Sequence, residues 1–267
     1  GLQGLSIYVI PNFEGMTVSR FFSVLFDAMG QLFFSLSVAM GIMIAYGSYV
    51  RDDADLNKSI YQIEIFDTVV AFLAGVMIIP AVFTFSGREG MNASGPGLMF
   101  VSLPNVFAEM GTIGHVVGCL FFAMVLFAAL TSAVSVMEAV VSSLMDRFGL
   151  TRTKAAVLET VIAVAAGFIV CKGYNALYFE LPLPNGTTAQ ILDIMDYISN
   201  NILMPVVAIG TCILIGWILK PSTVAEEVEK NGKKMGRKRL YVVMLRFIAP
   251  ILLIILLLKS LGILTAI

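Results

Sequence analysis

Charge is scarce in this sequence: Asp, Glu, Lys and Arg make up 13 % of its 267 residues. A water-soluble domain carries about a quarter, because its surface has to be wetted. Histidine occurs once, as His115, and the three cysteines (Cys119, Cys171 and Cys212) show neither CxxC nor metal-ligand spacing. The cysteines lie inside or at the edges of apolar segments and read as small hydrophobes, so a disulfide framework is not expected. With no His/Cys/carboxylate cluster there is nothing to build a hydrolytic metal site. No nucleophile–base pair is recognisable either, which argues against an enzyme. His115 stands at the start of an apolar stretch and reads as an interfacial or capping residue rather than a lone base. A net charge of -1 supplies no basic field for nucleic acid, and no stacking or groove-reading motif is present.

What is there is apolar. Hydrophobic residues form 58 % of the chain, and the mean hydropathy is +0.92. Lipid must be the solvent for most side chains. A bilayer core needs roughly 20 apolar residues of helix, and that window gives six candidate spans, at about 21–50, 65–87, 115–145, 154–171, 189–219 and 240–263. The stretch 91–112, interrupted by Gly95, Pro96, Gly97 and Pro104, reads as a folded loop with short helices. Pro80, Pro205 and Pro250 are expected to mark kinks that neighbouring helices accommodate.

Basic residues give the direction. The loops after spans one, three and five hold twelve Lys and Arg residues; the opposite side holds four, Arg20, Arg88, Lys172 and Lys259. The loops at 51–63, 146–153 and 220–239 are therefore expected in the cytoplasm, with both termini outside. An outside N-terminus with no signal peptide suits a fragment lacking an odd number of upstream helices, and truncation is the expectation.

Four stretches do not look like ordinary spans. Thirty helical residues at 21–50 would run about 45 Å, longer than a hydrocarbon core of about 30 Å. The middle, Gly30-Gln31-Leu32-Phe33-Phe34-Ser35-Leu36-Ser37-Val38-Ala39-Met40-Gly41, is polar for its depth. One reading is a helix that unwinds at residues 35–41, its carbonyls free to bind a cation. The other is an unbroken helix with back-bonded serines and close-packing glycines. Asp67, in Ile65-Phe66-Asp67-Thr68, reads either as the N-cap of span two or as a carboxylate within the membrane in need of a cationic partner. Ala128, Thr131 and Ser132 share one face of span three. They suit either close helix packing or a set of hard oxygen ligands for Na⁺, and Glu138 beyond them is expected to pair within the bundle. Asp193 and Asp196 open span five, either as solvated charges or with one of them gating a cavity.

Taken together, Gly30–Ser37, Ile44-Ala45-Tyr46-Gly47-Ser48-Tyr49-Val50, Leu103-Pro104 and Ala129-Leu130-Thr131-Ser132 are specific in order and spacing. On these residues the chain resembles the neurotransmitter:sodium symporter family, in its bacterial, amino-acid-transporting, eleven-helix subgroup. The resemblance covers essentially all of residues 1–267 as a single transmembrane domain: the third extracellular loop, then helices six to eleven. It implies an all-α polytopic membrane bundle, part of the second inverted repeat of a LeuT-type fold.

The resemblance also implies roles. Phe34 would close over a bound amino acid, Ser35 would contribute to both substrate and first sodium sites, and Ser37, Ala39, Met40 and Val136 would border the substrate. Asp67 would be the seventh-helix ligand of the first sodium, where many relatives have asparagine. Ala71 fills the place of a serine found in chloride-dependent relatives, so a chloride requirement is not expected; an alignment shifted by one residue would instead let Asp67 stand in for the chloride charge. Ala128 (through its carbonyl), Thr131 and Ser132 would hold the second sodium. Asp196 matches the outer gate acid, whose arginine partner belongs to the first helix. Helices one to five would share both sodium sites, so the chain is not expected to transport alone.

The implied function is Na⁺-coupled symport of a neutral, hydrophobic or aromatic amino acid by alternating access, across the cell (inner or plasma) membrane. The alternative is a non-transporting packing or assembly subunit with degenerate sites. Hydroxyls retained at Ser35, Thr131 and Ser132, together with Asp67, favour the carrier, because a packing module has no use for costly polar groups in lipid.

Overall fold

The computed structural model describes residues 2–90, 95–184, 186–230, 232 and 234–264. Its helices in chain order are α1 (Leu2–Val9), α2 (Val18–Ser35), α3 (Ile42–Gly47), α4 (Leu56–Phe85), α5 (Leu103–Glu109), α6 (Gly111–Phe148), α7 (Arg152–Lys172), α8 (Ile191–Ile218), α9 (Pro221–Glu229) and α10 (Lys238–Ser260). Among the described residues, five of these (α4, α6, α7, α8 and α10) are long and apolar enough to cross a membrane. The remaining expected span, 21–50, is α2 and α3 with a break between them.

Local chemistry sets the ends. The Thr17 hydroxyl caps α2 by accepting the Arg20 N–H at 3.2 Å. Asp55 caps α4 by accepting the Lys58 N–H at 3.1 Å. That second cap corrects the sequence reading of Asp67: α4 starts at Leu56, so Asp67 lies inside the helix, roughly 16 Å along it at 1.5 Å per residue. It is not a helix-start cap. Gln190 and Asp193 form a capping box that opens α8.

Prolines widen helices here. Three π-helical stretches, Leu98–Ser102, Tyr197–Leu203 and Met244–Ile248, end two residues before Pro104, Pro205 and Pro250. A proline ring brings no N–H and crowds the carbonyl four residues back, so the preceding turn relaxes to longer i→i+5 bonds. Pro80 sits within α4 without such a stretch, and the Thr84 hydroxyl donates to its carbonyl at 2.6 Å.

Smaller elements fill the connections. The expected folded loop is helical over 98–109, while residues 91–94 lie outside the described residues. The basic loop at 220–239 contains α9, and β1 (Leu181–Pro182) pairs with β2 (Thr188–Ala189) as a short antiparallel ribbon in which Leu181 faces Ala189.

The chain forms two compact units, residues 1–16 with 62–134, and residues 17–61 with 135–267. In the first, Val82, Leu103, Val106 and Phe121 are buried together beneath Phe107 and Phe122. The helix α1 lies against α4 with Gly4 close to Pro80 and Phe83. In the second unit, Ala208, Cys212 and Leu253 form one buried cluster, and Ile42, Ala45 and Ala139 form another. The helix α6 supplies residues to both units.

Candidate functional site

Between α2 and α3 the backbone leaves the helix and returns. The last turn of α2 closes through Leu36 N–H to Leu32 O at 3.0 Å, Ser37 N–H to Phe34 O at 3.0 Å and Val38 N–H to Phe33 O at 2.9 Å. Left-handed φ then recurs at alternate residues, 53° at Ser37, 62° at Ala39 and 80° at Gly41, before α3 begins at Ile42. For Ser37 and Ala39 that conformation crowds Cβ against the backbone and costs about 1–2 kcal/mol each. Among the described residues, no backbone N–H donates to the carbonyls of residues 36–40. The unwound reading of this segment is the one the fold adopts.

Packing on both sides holds the break in shape. Phe33 and Ala39 pack on the Ala208–Cys212–Leu253 cluster, and Met40 packs on Ile42, Ala45 and Ala139. Ala39 and Met40 therefore have apolar protein neighbours of their own. Phe34, by contrast, is 49 % exposed, and Ser35 is exposed at the end of α2. Val136, in the same unit on α6, is also exposed.

The other expected ligands belong to the first unit. Ala128, Thr131 and Ser132 are exposed along α6, and the Thr131 hydroxyl donates to the Ala128 carbonyl at 2.9 Å. That bond is the back-bonded serine/threonine geometry, and it places a hydroxyl beside the Ala128 carbonyl that the family resemblance implies as a ligand of the second sodium. Asp67 is half-buried in α4. Asp196, exposed in α8, accepts the Asn200 amide at 2.6 Å. Asp193 serves the capping box, accepting the Gln190 N–H at 3.2 Å. That is a local role neither sequence reading had given it, although the Gln-x-x-Asp spacing signals it.

A polar ladder that sequence reasoning missed joins α3 to α6. The Tyr46 hydroxyl is hydrogen-bonded to Ser135 Oγ, and the Tyr49 hydroxyl donates to Glu138 Oε1 at 2.6 Å. Both pairs are 89 residues apart, so the segment 46–49 and this part of α6 run in the same sense and in fixed register. Arg152, opening α7, turns back and donates to both oxygens of Glu138, at 3.1 Å and 2.5 Å. Glu138 is thus paired, as expected of a carboxylate on a membrane helix. The signal available in the sequence was the matched three-residue spacing of Tyr46/Tyr49 and Ser135/Glu138.

The second unit thus holds a broken helix with unwound backbone after Ser35, and the first unit holds the hydroxyl-bearing face of α6, each in a helical membrane chain. A family model described as the sodium:neurotransmitter symporter family matches residues 1–266. The chain belongs to the sodium:neurotransmitter symporter family. Its members are transporters and not enzymes. A sodium-dependent transporter of Bacillus subtilis, YhdH, is 32 % identical over 268 residues, covering 99 % of this chain and 56 % of that protein. A sodium-dependent transporter of Haemophilus influenzae is 29 % identical over 262 residues, covering 97 % and 54 % respectively. The crystal structure of MhsT in complex with L-phenylalanine superposes with a TM-score of 0.82 at 33 % identity, covering 97 % of this chain and 56 % of that one. The fold is therefore the LeuT-type helical fold in part, and the chain spans about half the length of these relatives.

An alkali cation is bound by hard neutral oxygens and few charges, and unwound carbonyls and hydroxyls are donors of that kind. Among the described residues, no group of three His, Cys, Asp or Glu side chains converges as a transition-metal site would require.

Proposed function

We propose that this chain is part of a carrier that couples Na⁺ to the movement of a neutral, hydrophobic or aromatic amino acid by alternating access. The observation that carries the reading is the break at residues 36–40. Its backbone holds two left-handed non-glycine residues and, among the described residues, leaves five successive carbonyls without a backbone donor, in the sodium:neurotransmitter symporter family. Non-helical backbone at membrane depth persists where it lines a cavity, and carbonyls freed there coordinate Na⁺ in carriers of this architecture.

In this reading Ser35 and Asp67 serve a first sodium, while Ala128, Thr131 and Ser132 serve a second. Phe34, Ser35, Ser37, Ala39, Met40 and Val136 border the amino acid, and Asp196 stands at the outer gate. In this reading Ala39 and Met40, which pack on protein, wall the pocket rather than contact the substrate freely. The phenylalanine held by MhsT supports an apolar substrate. Each site needs donors from the part of the fold that the relatives have and these 267 residues do not span, so transport belongs to the two parts together. Chloride is not required, with Ala71 in place of a hydroxyl. The distribution of basic residues supports a cell-membrane location with the loops at 51–63, 146–153 and 220–239 in the cytoplasm.

The test is uptake of labelled phenylalanine, leucine and alanine by the whole protein in proteoliposomes, with Na⁺ or K⁺ outside. Sodium-driven uptake, abolished by Thr131→Val and weakened at least tenfold in sodium affinity by Ser35→Ala, is the expected result. Uptake of equal size in potassium would sink the coupling, and absence of any uptake or binding would favour an assembly subunit.

A further inference from the structure

The last turn of α10 grips two other elements of its unit. The Lys259 ammonium donates to Ser23 Oγ at 2.8 Å, Ser23 O at 3.2 Å and Asp27 Oδ1 at 2.9 Å. An ammonium has three N–H donors, and here all three have acceptors on α2. The lysine side chain is 23 % exposed although its carboxylate partner is 72 % exposed, so the cation reaches inward to the helix rather than out to water. The next residue continues the grip. The Ser260 carbonyl, one of those left over at a helix C-terminus, accepts the hydroxyl of buried Tyr197 at 2.6 Å.

These contacts fall on functionally marked elements. Ser23 and Asp27 are one turn apart on one face of α2, and two turns further on that helix ends at Phe34 and Ser35. Tyr197 directly follows Asp196 on α8. Neither Lys259 nor Tyr197 reaches the break itself; both act on the helices that carry its neighbours.

We propose that Lys259 is a positioning residue. The Lys259–Ser260 turn braces the outer arm of the broken helix to the Asp196 helix, so that Phe34–Ser35 and Asp196 move as one body. The effect on transport rests on the carrier reading above; the brace itself does not. A lysine saturated by one helix, followed by a carbonyl taken by another, ties three helices through two adjacent residues. Loss of either tie leaves α2 held to α8 only by apolar packing such as Phe33 on Ala208 and Cys212, and so looser.

The experiment measures the brace and its consequence separately, in the whole protein. Spin labels at Val24→Cys on α2 and Met195→Cys on α8, both at exposed positions, report the distance distribution between the helices. One narrow distribution is expected with Lys259 present, and a broadened or double one in Lys259→Gln and in Tyr197→Phe. Lys259→Arg and the exchange Lys259→Asp with Asp27→Lys should restore narrowness, which a merely misfolded variant would not. In uptake, Lys259→Gln should raise the half-saturating sodium concentration roughly threefold to tenfold, the scale set by losing one charged tie, while the maximal rate changes less. An unchanged distance distribution in both Lys259→Gln and Tyr197→Phe overturns the proposal. A broadened distribution with unchanged sodium dependence overturns its functional part. Absence of sodium-driven uptake in the unsubstituted protein counts against the carrier reading and leaves the brace to be decided by the distances alone.

Discussion

The Tyr49 hydroxyl donates to Glu138 Oε1 at 2.6 Å, across 89 residues of sequence. That carboxylate also receives two nitrogens of Arg152, and its side chain is only 15 % exposed against 61 % for the arginine. One acid therefore gathers the residue just beyond α3 and the start of α7 onto α6.

Removing either donor leaves Glu138 one partner; removing both leaves it none. Tyr49→Phe and Arg152→Gln should each lower stability. The double variant should lose more than the sum of the two, because only then is a largely buried carboxylate unpaired. Thermal unfolding of the four proteins in detergent measures the coupling; strict additivity would refute it.

Strain at the break is separable from its packing. Ala39→Gly should raise the melting temperature, since glycine adopts φ 62° without the Cβ clash, a gain of about 1 kcal/mol. Ala39→Val should be destabilising by more than that, because a β-branched residue fits the left-handed region worst. The same glycine variant should bind sodium less tightly.

Two glycines in the first unit should respond differently to alanine. A Cβ on Gly4 would stand 2.7 Å from the Pro80 Cα, a backbone atom that cannot yield. A Cβ on Gly75 would meet the far end of the Tyr8 ring, which can swing away. Gly4→Ala should destabilise by about 1–3 kcal/mol and strip amide-exchange protection from α1, while Gly75→Ala should cost less and keep it.

Outside the membrane segments, acid should release the end of α9. Glu229 accepts the Met235 N–H and, next in weight, the Lys238 ammonium, both at 3.3 Å, which hold its carboxyl below the ordinary value of 4.5. A lowered folded value means the contribution is complete above the unfolded value and disappears as pH falls through the folded one. Lys230 has the opposite sign. The Asp52 carboxylate at 2.9 Å, followed by Glu227, raises its ammonium above 10.5, so that tie is complete below the unfolded value and lost as pH rises through the raised one. The Met235 amide should be protected from exchange at neutral pH and exposed in acid, and Glu229→Gln should abolish the dependence.

The spans were legible because a hydrocarbon core demands runs of apolar residues, and the break was legible because Ser35, Ser37 and Gly41 interrupt one such run. Hydropathy misplaced the start of α4, however. Its first turns, Leu56-Asn57-Lys58-Ser59-Ile60-Tyr61-Gln62, are helical but polar, so they lie outside any apolar window and Asp67 looked terminal. The helix α9 was hidden for the same reason, and α1, though apolar, because its eight residues cannot fill such a window. The π-helical stretches leave composition unchanged, though each proline behind them was visible. Lys259 was counted only as an outward charge, since nothing local marks a lysine whose partners lie 232 and 236 residues away. Which of two roles Ala128, Thr131 and Ser132 serve was not legible either, because packing faces and cation ligands draw on the same small residues.

Alanine at position 39 has one further consequence. Glycine there would be comfortable, but it would also let the segment wander among many backbone shapes, and a cation arriving at such a loop would have to gather it first. With alanine and serine locked in rare conformations by the flanking clusters, that freedom is surrendered during folding. On the proposed carrier reading, the carbonyls are then ordered before any ion arrives, and the entropy of arranging them is settled in the empty protein.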